Sequence, residues 1–254
     1  DGLITIKKEK VSMGDITGIA GNGNILNAYA NTTEGIGADV AATGRIEMTH
    51  EGVGQVIGIL GKSPTHKINN ALAYLDSPVS NASASGEIVV SGVHNVYGMY
   101  SLGSMTNSET QFNKSFNRVE NFHASGLIDA TANSDKGIAY GMFLQNAGNN
   151  HVTIYNAMGY KSTGDIIARN TYGGSAYGIW NGVKLYDDVD EHGQPVTYYN
   201  NTYNAFRSSA KYGGNNVAAT GTVDLELEGN SNSIQYATGL YIAGNVFNAY
   251  ANSG

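Results

Sequence analysis

The sequence predicts an all-β solenoid, a right-handed parallel β-helix of about six degenerate repeats of ~40 residues each. Three observations carry that prediction. Two short motifs recur in one fixed order along the whole chain, and a third recurs more loosely. The composition, with 34 Gly, 17 Tyr, 3 Pro and 14% charged residues, describes short strands and turns rather than charged amphipathic helices.

The first motif is a small residue, Gly, any residue and Ile. It occurs as Thr43-Gly44-Arg45-Ile46-Glu47-Met48, Ser85-Gly86-Glu87-Ile88, Ser125-Gly126-Leu127-Ile128, Thr163-Gly164-Asp165-Ile166 and Thr220-Gly221-Thr222-Val223, with Asp1-Gly2-Leu3-Ile4-Thr5-Ile6 as a sixth copy. Its residues alternate. Ile46 and Met48, or Val223, Leu225 and Leu227, share one face, while Arg45 and Glu47, or Asp224, Glu226 and Glu228, share the other. That is the pattern of a half-buried strand with one wet side. The Gly before each strand is expected either to turn a corner at positive φ or to let a neighbouring backbone approach.

The second motif follows as Ile16-Thr17-Gly18-Ile19, Val56-Ile57-Gly58-Ile59, Val96-Tyr97-Gly98-Met99, Ala139-Tyr140-Gly141-Met142, Ala176-Tyr177-Gly178-Ile179 and Ala237-Thr238-Gly239-Leu240. Apolar residues flank the Gly on both sides, so this strand is expected to be buried on both faces or to lie beside a corner. Two places after the Gly stand Ala20, Leu60, Tyr100, Phe143, Trp180 and Tyr241, which stacked coils would bring into a ladder.

The third motif is clearest in Ile25-Leu26-Asn27-Ala28-Tyr29-Ala30-Asn31, Ile154-Tyr155-Asn156-Ala157, Tyr203-Asn204-Ala205-Phe206 and Val246-Phe247-Asn248-Ala249-Tyr250-Ala251-Asn252. Asn70-Ala71 is a partial copy, and the third unit shows no clear one. Its Asn fits two environments, an internal ladder of amides between coils or an exposed turn.

These motifs place the repeats near 1–42, 43–84, 85–124, 125–162, 163–219 and 220–254, forming one domain over 1–254. The fifth repeat carries an insertion at 186–201, and insertions in repeat arrays map to surface loops. A six-bladed β-propeller is the alternative architecture for this period, although no Trp-Asp or kelch-type signature supports it.

The alternation of Gly-x-Ile strands, Ala-Tyr-Gly-Ile strands and Ile-x-Asn segments, as in Thr163-Gly164-Asp165-Ile166 through Ala176-Tyr177-Gly178-Ile179, resembles the passenger regions of bacterial autotransporters and related β-helical cell-surface adhesins. The resemblance covers nearly the whole chain. It implies an extracellular, cell-surface protein of structural or adhesive function, with host or neighbouring-cell surface proteins or glycans as partners. The repeat is longer than the usual passenger coil, and no membrane-barrel translocator is present in these residues. The chain ends within a copy of the third motif, so either a longer array or end-to-end self-association is expected.

Several function classes lack support. A net charge of −7 without a basic patch argues against nucleic-acid binding, and zero cysteines excludes disulfides and thiol chemistry. No apolar run approaches the roughly 20 residues of a membrane span. The chain begins at Asp1 without a leader, so any targeting signal is expected to lie outside these residues.

The catalytic reading is a polysaccharide-active β-helix enzyme, which needs carboxylates converging with cations on one groove. Here acidic residues are scattered singly on outward positions, no column in register is evident, and the chain is read as no enzyme. The densest acidic group, Asp187, Asp188, Asp190 and Glu191 in the insertion, is a candidate calcium site or else a solvated loop. The six histidines are dispersed and expected at the surface. Tyr198, Tyr199 and Tyr203 are candidates for glycan stacking, whereas Tyr97, Tyr140 and Tyr177 recur at one repeat position and are read as structural. Loops 101–118 and 184–201 are the expected presenting segments.

Overall fold

The computed structural model describes residues 1–32, 39–76, 81–112, 122–145, 152–181, 186–189, 192–198, 201–208, 219–229 and 235–252. The three motifs form three different sheets. The first motif supplies β1 (Gly2–Lys8), β4 (Val40–His50), β7 (Ala82–Gly92), β10 (Phe122–Ala132), β13 (Ser162–Asn170) and β18 (Thr220–Leu227). The second supplies β2 (Ile16–Gly21), β5 (Val56–Gly61), β8 (Val96–Ser101), β11 (Ile138–Leu144), β14 (Ser175–Asn181) and β19 (Ala237–Ile242). The third supplies β3 (Ile25–Asn31), β6 (Ile68–Leu75), β9 (Met105–Phe112), β12 (Thr153–Met158), β17 (Asn201–Ser208) and β20 (Asn245–Asn252).

Each set stacks in chain order into a 6-stranded sheet, and every neighbouring pair is parallel. One repeat is therefore one coil of three strands, and the fold is a parallel β-helix. A propeller blade, by contrast, pairs antiparallel strands within a repeat.

Register follows the motifs. Gly44, Gly86, Gly126, Gly164 and Gly221 align, and so do Ile46, Ile88, Ile128, Ile166 and Val223. Ile46, Ile88, Ile128 and Ile166 are each 0% exposed and form one continuous interior row. Facing them from the second sheet are Ile59, Met99, Met142 and Ile179, and from the third Ile68, Met105 and Ile154, all in the same apolar cluster. Burial of each such side chain contributes about 2–3 kcal/mol. Each is complete only when a coil lies on both sides. In the end coils, Ile4 and Val223 occupy the same row yet are only partly buried.

The motif glycines are not corner residues. The first-sheet strands begin before the Gly, as in β4, and none of the motif glycines has positive φ. They permit close approach instead. A Cβ on Gly126 would lie 2.3 Å from the Asn107 carbonyl oxygen of the preceding coil, and one on Gly141 would lie 2.2 Å from Ile166 Cγ2. The first contact lets the third sheet meet the first, and the second lets the interior close around the Ile row.

The Asn of the third motif is internal. Asn27 donates Nδ2 to Asn70 Oδ1, Asn70 to Asn107, Asn107 to Asn156, Asn156 to Asn204 and Asn204 to Asn248, at 2.8–3.0 Å throughout. The same nitrogens donate to the carbonyls of Gly44, Gly86, Gly126, Gly164 and Gly221. The ladder is unbroken, so the third unit does hold a copy of the motif, Met105-Thr106-Asn107-Ser108 in β9. Segment 101–118 is correspondingly no free loop up to residue 112, because Ser101 ends β8 and Met105–Phe112 is a strand.

His50 is also internal, at 0% exposure, contrary to a surface placement of all the histidines. Its Nε2 lies 3.0 Å from the Gly14 carbonyl, and its Nδ1 accepts from Gly52 N–H at 3.1 Å. Three coils on, Asn170 occupies the same register position and performs the same service, accepting from Tyr172 and Gly174 N–H and donating to the Ser134 and Gly137 carbonyls. Both close the corner between the first and second sheets, where backbone groups leave the ladders and need other partners.

The insertion forms an antiparallel hairpin of β15 (Tyr186–Val189) and β16 (Pro195–Tyr198), after which β17 resumes the third sheet.

Candidate functional site

With the interior sealed by apolar rows, the chemistry of this chain lies on the outward faces of the three sheets and along their corners.

The second sheet carries an aromatic face. Tyr97, Tyr140 and Tyr177 stack with ring centroids 5.0 and 5.4 Å apart. Beside them Tyr100, Phe143, Trp180 and Tyr241 stack at 5.1, 6.2 and 3.9 Å. The two ladders interlock edge to face, as between Tyr140 and Phe143 at 70°. Parallel register alone places the rings one coil spacing apart, and aromatic pairs favour these offset and T-shaped geometries. Burial raises the Tyr97 and Tyr140 phenols, and for Tyr140 the neighbouring Tyr97 and Tyr177 add to it. The β8 and β11 strands are thus covered on both faces, with aliphatic side chains inside and rings outside.

The third sheet is divided. Its later coils carry a second ring column, Tyr155, Tyr203 and Phe247, with Phe206 on Tyr250 beside it. Burial pushes the Tyr155 phenol up to about 12, with Tyr203 and Glu109 contributing. The middle coils carry a polar cluster instead. Glu109, 0% exposed, accepts from Lys67 Nζ, from Asn69 Nδ2 at 2.7 Å and from Gln111 Nε2. Asn69 Oδ1 and Thr106 Oγ1, both buried there, have no hydrogen-bond partner among the described residues.

The first sheet presents a charged face. Register sets Arg45 beside Glu87 and Arg169 beside Glu226, and both pair, while Arg169 also reaches diagonally to Asp129 of the preceding coil. Opposite charges from successive coils do therefore stand in column here, although on a flat face rather than in a groove. Scattering in sequence conceals this, because partners sit one repeat apart, 40 residues for Arg169 and Asp129 and 57 for Arg169 and Glu226, whose repeat carries the insertion.

A shallow cleft of about 370 Å³ runs along the corner between the first and second sheets. Asp15, Gln55, His94, Asn95 and Lys136, from four successive coils, line it. Asp15 is held there by the Gln55 N–H, 2.8 Å from its Oδ1.

The candidates from sequence fall as follows. Asp187 and Asp188 lie in β15, where their backbones pair with Thr197 and Val196, while Asp190 and Glu191 lie outside the described residues. Tyr198 pairs with Tyr186 in the hairpin, and Tyr199 lies outside the described residues. Tyr203 stands mid-column with Tyr155 and Phe247 stacked on its two sides, which occupies the ring faces a sugar would use. Among the described residues no group of three or more acidic or histidine side chains is placed to hold a metal ion. The corner cleft and the Glu109 cluster went unnoticed in the sequence, since each gathers single residues from different coils.

No family model, curated protein or solved structure matches the chain.

Proposed function

We propose that the chain is the rigid shaft of an extracellular, cell-surface structural or adhesive protein, which presents its outward faces to surface proteins or glycans of a host or neighbouring cell. The observation that carries this reading is the aromatic face of the second sheet. Rings recur at the same two outward positions, Tyr97, Tyr140 and Tyr177 beside Tyr100, Phe143 and Trp180, forming an apolar cluster on the outside of the coil in which Tyr97 and Tyr140 are buried and Tyr100, Phe143, Tyr177 and Trp180 remain partly exposed. An extended, ordered, amphipathic surface of Tyr and Trp edges is the composition of recognition faces. The resemblance to autotransporter passengers agrees with this and is an analogy of fold.

Binding of the purified chain to arrays of glycans and to intact cells tests the reading. Saturable binding that Trp180→Ala and Phe143→Ala weaken, with the fold retained by circular dichroism, supports it. Binding to no surface tried, or binding indifferent to both substitutions, overturns it.

The second reading, a polysaccharide-cleaving enzyme, is favoured by the corner cleft alone, where Asp15, His94 and Lys136 supply acid, base and cation. Reducing-end release from a glycan panel decides it: turnover lost in Asp15→Asn and His94→Ala establishes the enzyme and displaces the adhesive reading.

A further inference from the structure

One carboxylate stands where the other coils place apolar side chains. Register aligns Glu109 with Tyr29, Leu72, Met158, Phe206 and Tyr250 on the third sheet. Glu109 is nonetheless 0% exposed. A carboxylate buried at a position that packing otherwise fills with apolar groups is costly to keep, and packing alone gives no reason for it.

Its neighbours combine a nucleophile with an acyl group. Lys67 and Asn69 stand two residues apart in extended chain and so share a face. Lys67 Nζ donates to Glu109 Oε2 at 2.5 Å, and Asn69 Nδ2 donates to the same oxygen at 2.7 Å. Gln111 Nε2 occupies the other oxygen, Oε1, which keeps Oε2 turned to the two nitrogens. Amine and carboxamide therefore meet at one proton acceptor. Two buried atoms beside them are idle among the described residues, Asn69 Oδ1 and Thr106 Oγ1, and register sets Thr106 next to Asn69. A hydroxyl so placed can donate to the carbonyl oxygen as charge gathers on it.

From this arrangement we infer that the folded chain joins Lys67 to Asn69 through an isopeptide bond, with Glu109 as the proton carrier. Glu109 Oε2 takes a proton from the Lys67 ammonium, and the free amine attacks Asn69 Cγ. The new C–N bond pushes the carbonyl pair onto Oδ1, where the Thr106 hydroxyl donates. Glu109 passes its proton to Nδ2 and takes a second from Nζ. The Cγ–Nδ2 bond then breaks and ammonia leaves. Lys67 and Asn69 end as one secondary amide and Glu109 as the neutral acid, so the reaction turns a buried ion pair into uncharged groups. No oxidant or cofactor enters. Holding both reactants on one oxygen makes the attack intramolecular, and the burial of Asn69, 2% exposed, keeps water from competing for its carbonyl. The link is independent of what the outward faces bind.

Mass spectrometry of the purified 254-residue chain, sampled over days at neutral pH, tests this. The expected product is lighter than its sequence by one ammonia. After unfolding and digestion, trypsin should pass over the acylated Lys67, and tandem spectra should place the loss on a ring joining Lys67 to Asn69. Lys67→Arg and Asn69→Ala should keep their full mass. Glu109→Gln and Thr106→Val, with circular dichroism unchanged, should each slow linkage about a hundredfold. A link from Lys67 to Asn69 hardly constrains the unfolded chain, so mass rather than melting temperature is the readout. The ion pair is the reactant, so its contribution to stability is measured on chain whose mass shows it unlinked. A chain that keeps its full mass throughout, an ammonia loss at another asparagine with Lys67 still cut by trypsin, or a link that forms as fast in Glu109→Gln would overturn the inference.

Discussion

Asn107 Nδ2 donates to Asn156 Oδ1 in the next coil at 2.9 Å, and the same nitrogen donates to the Gly126 carbonyl of the first sheet, also at 2.9 Å. One amide thus ties coil to coil along the axis and sheet to sheet across the section. Asn107 is 0% exposed, so its bonds have no competition from water, and a lost partner would stay lost.

Replacing Asn107 by Ala leaves Asn70 Nδ2, Asn156 Oδ1 and the Gly126 carbonyl short of partners in the interior. The expected cost is about 3 kcal/mol, from buried groups at ~1–3 kcal/mol each with partial relaxation. Asn27→Ala, at the end of the ladder and half-exposed, should cost about 1 kcal/mol. Urea melts of the two variants check the ranking. Equal losses would mean that the ladder contributes no more in the interior than at its end.

Gly141→Ala should be among the most damaging methyl additions in the chain. The new Cβ would meet Ile166 Cγ2 at 2.2 Å and the Gly178 carbonyl oxygen at 2.6 Å. Overpacking of this kind costs about 1–3 kcal/mol or more. Trimming the side chain with Ile166→Ala removes only the first clash, since the second is with backbone. The double variant should therefore fail to regain the stability of Ile166→Ala alone, and thermal melts of the three proteins decide it.

The alternation of the first motif made the interior row legible. Ile46, Ile88, Ile128 and Ile166 sit at a period of two beside charged neighbours, and a strand with one wet face has that signature. Asn107 escaped because its strand, Met105-Thr106-Asn107-Ser108-Glu109-Thr110, is polar yet buried. Hydrophobic periodicity is blind to a buried strand whose polar side chains mostly find partners in neighbouring coils and backbone carbonyls. The signal that finds it is register: Asn107 precedes Gly126 as Asn70 precedes Gly86. His50 escaped for a related reason, since its role shows only beside Asn170, which ends a strand at the same position and is likewise followed by glycines. The corner cleft required knowing which coils lie side by side.

Alkali should loosen the ring columns before it affects the rest of the interior. Burial raises Tyr155 to about 12, so its neutral form is favoured in the folded chain over the unfolded one. A folded pKa above the unfolded value of about 10 means that this contribution is whole below pH ~10 and fades as pH rises towards 12. Phenolate absorbance should show a late-titrating class of tyrosines, and Tyr155→Phe should shift the alkaline unfolding midpoint upward. A midpoint unmoved by Tyr155→Phe would show that other groups govern alkaline unfolding.

The Lys67–Glu109 pair offers the sharpest asymmetry. Glu109 is wholly buried, whereas the Lys67 side chain is 33% exposed. Lys67→Met therefore strands a carboxylate in the interior with only the neutral Asn69 and Gln111 amides for company. Removing one partner of such a pair should cost about 3 kcal/mol. Glu109→Gln leaves a lysine that can swing to water, so it should cost about 1 kcal/mol, mainly through mismatched amide bonds. In the double variant Lys67→Met with Glu109→Gln the charge is gone from both sides, and stability should return to within about 1 kcal/mol of the parent. A double-mutant cycle in guanidinium reads all three. Strict additivity would mean that Lys67 does not compensate the Glu109 charge, and that the amides alone keep the carboxylate in place.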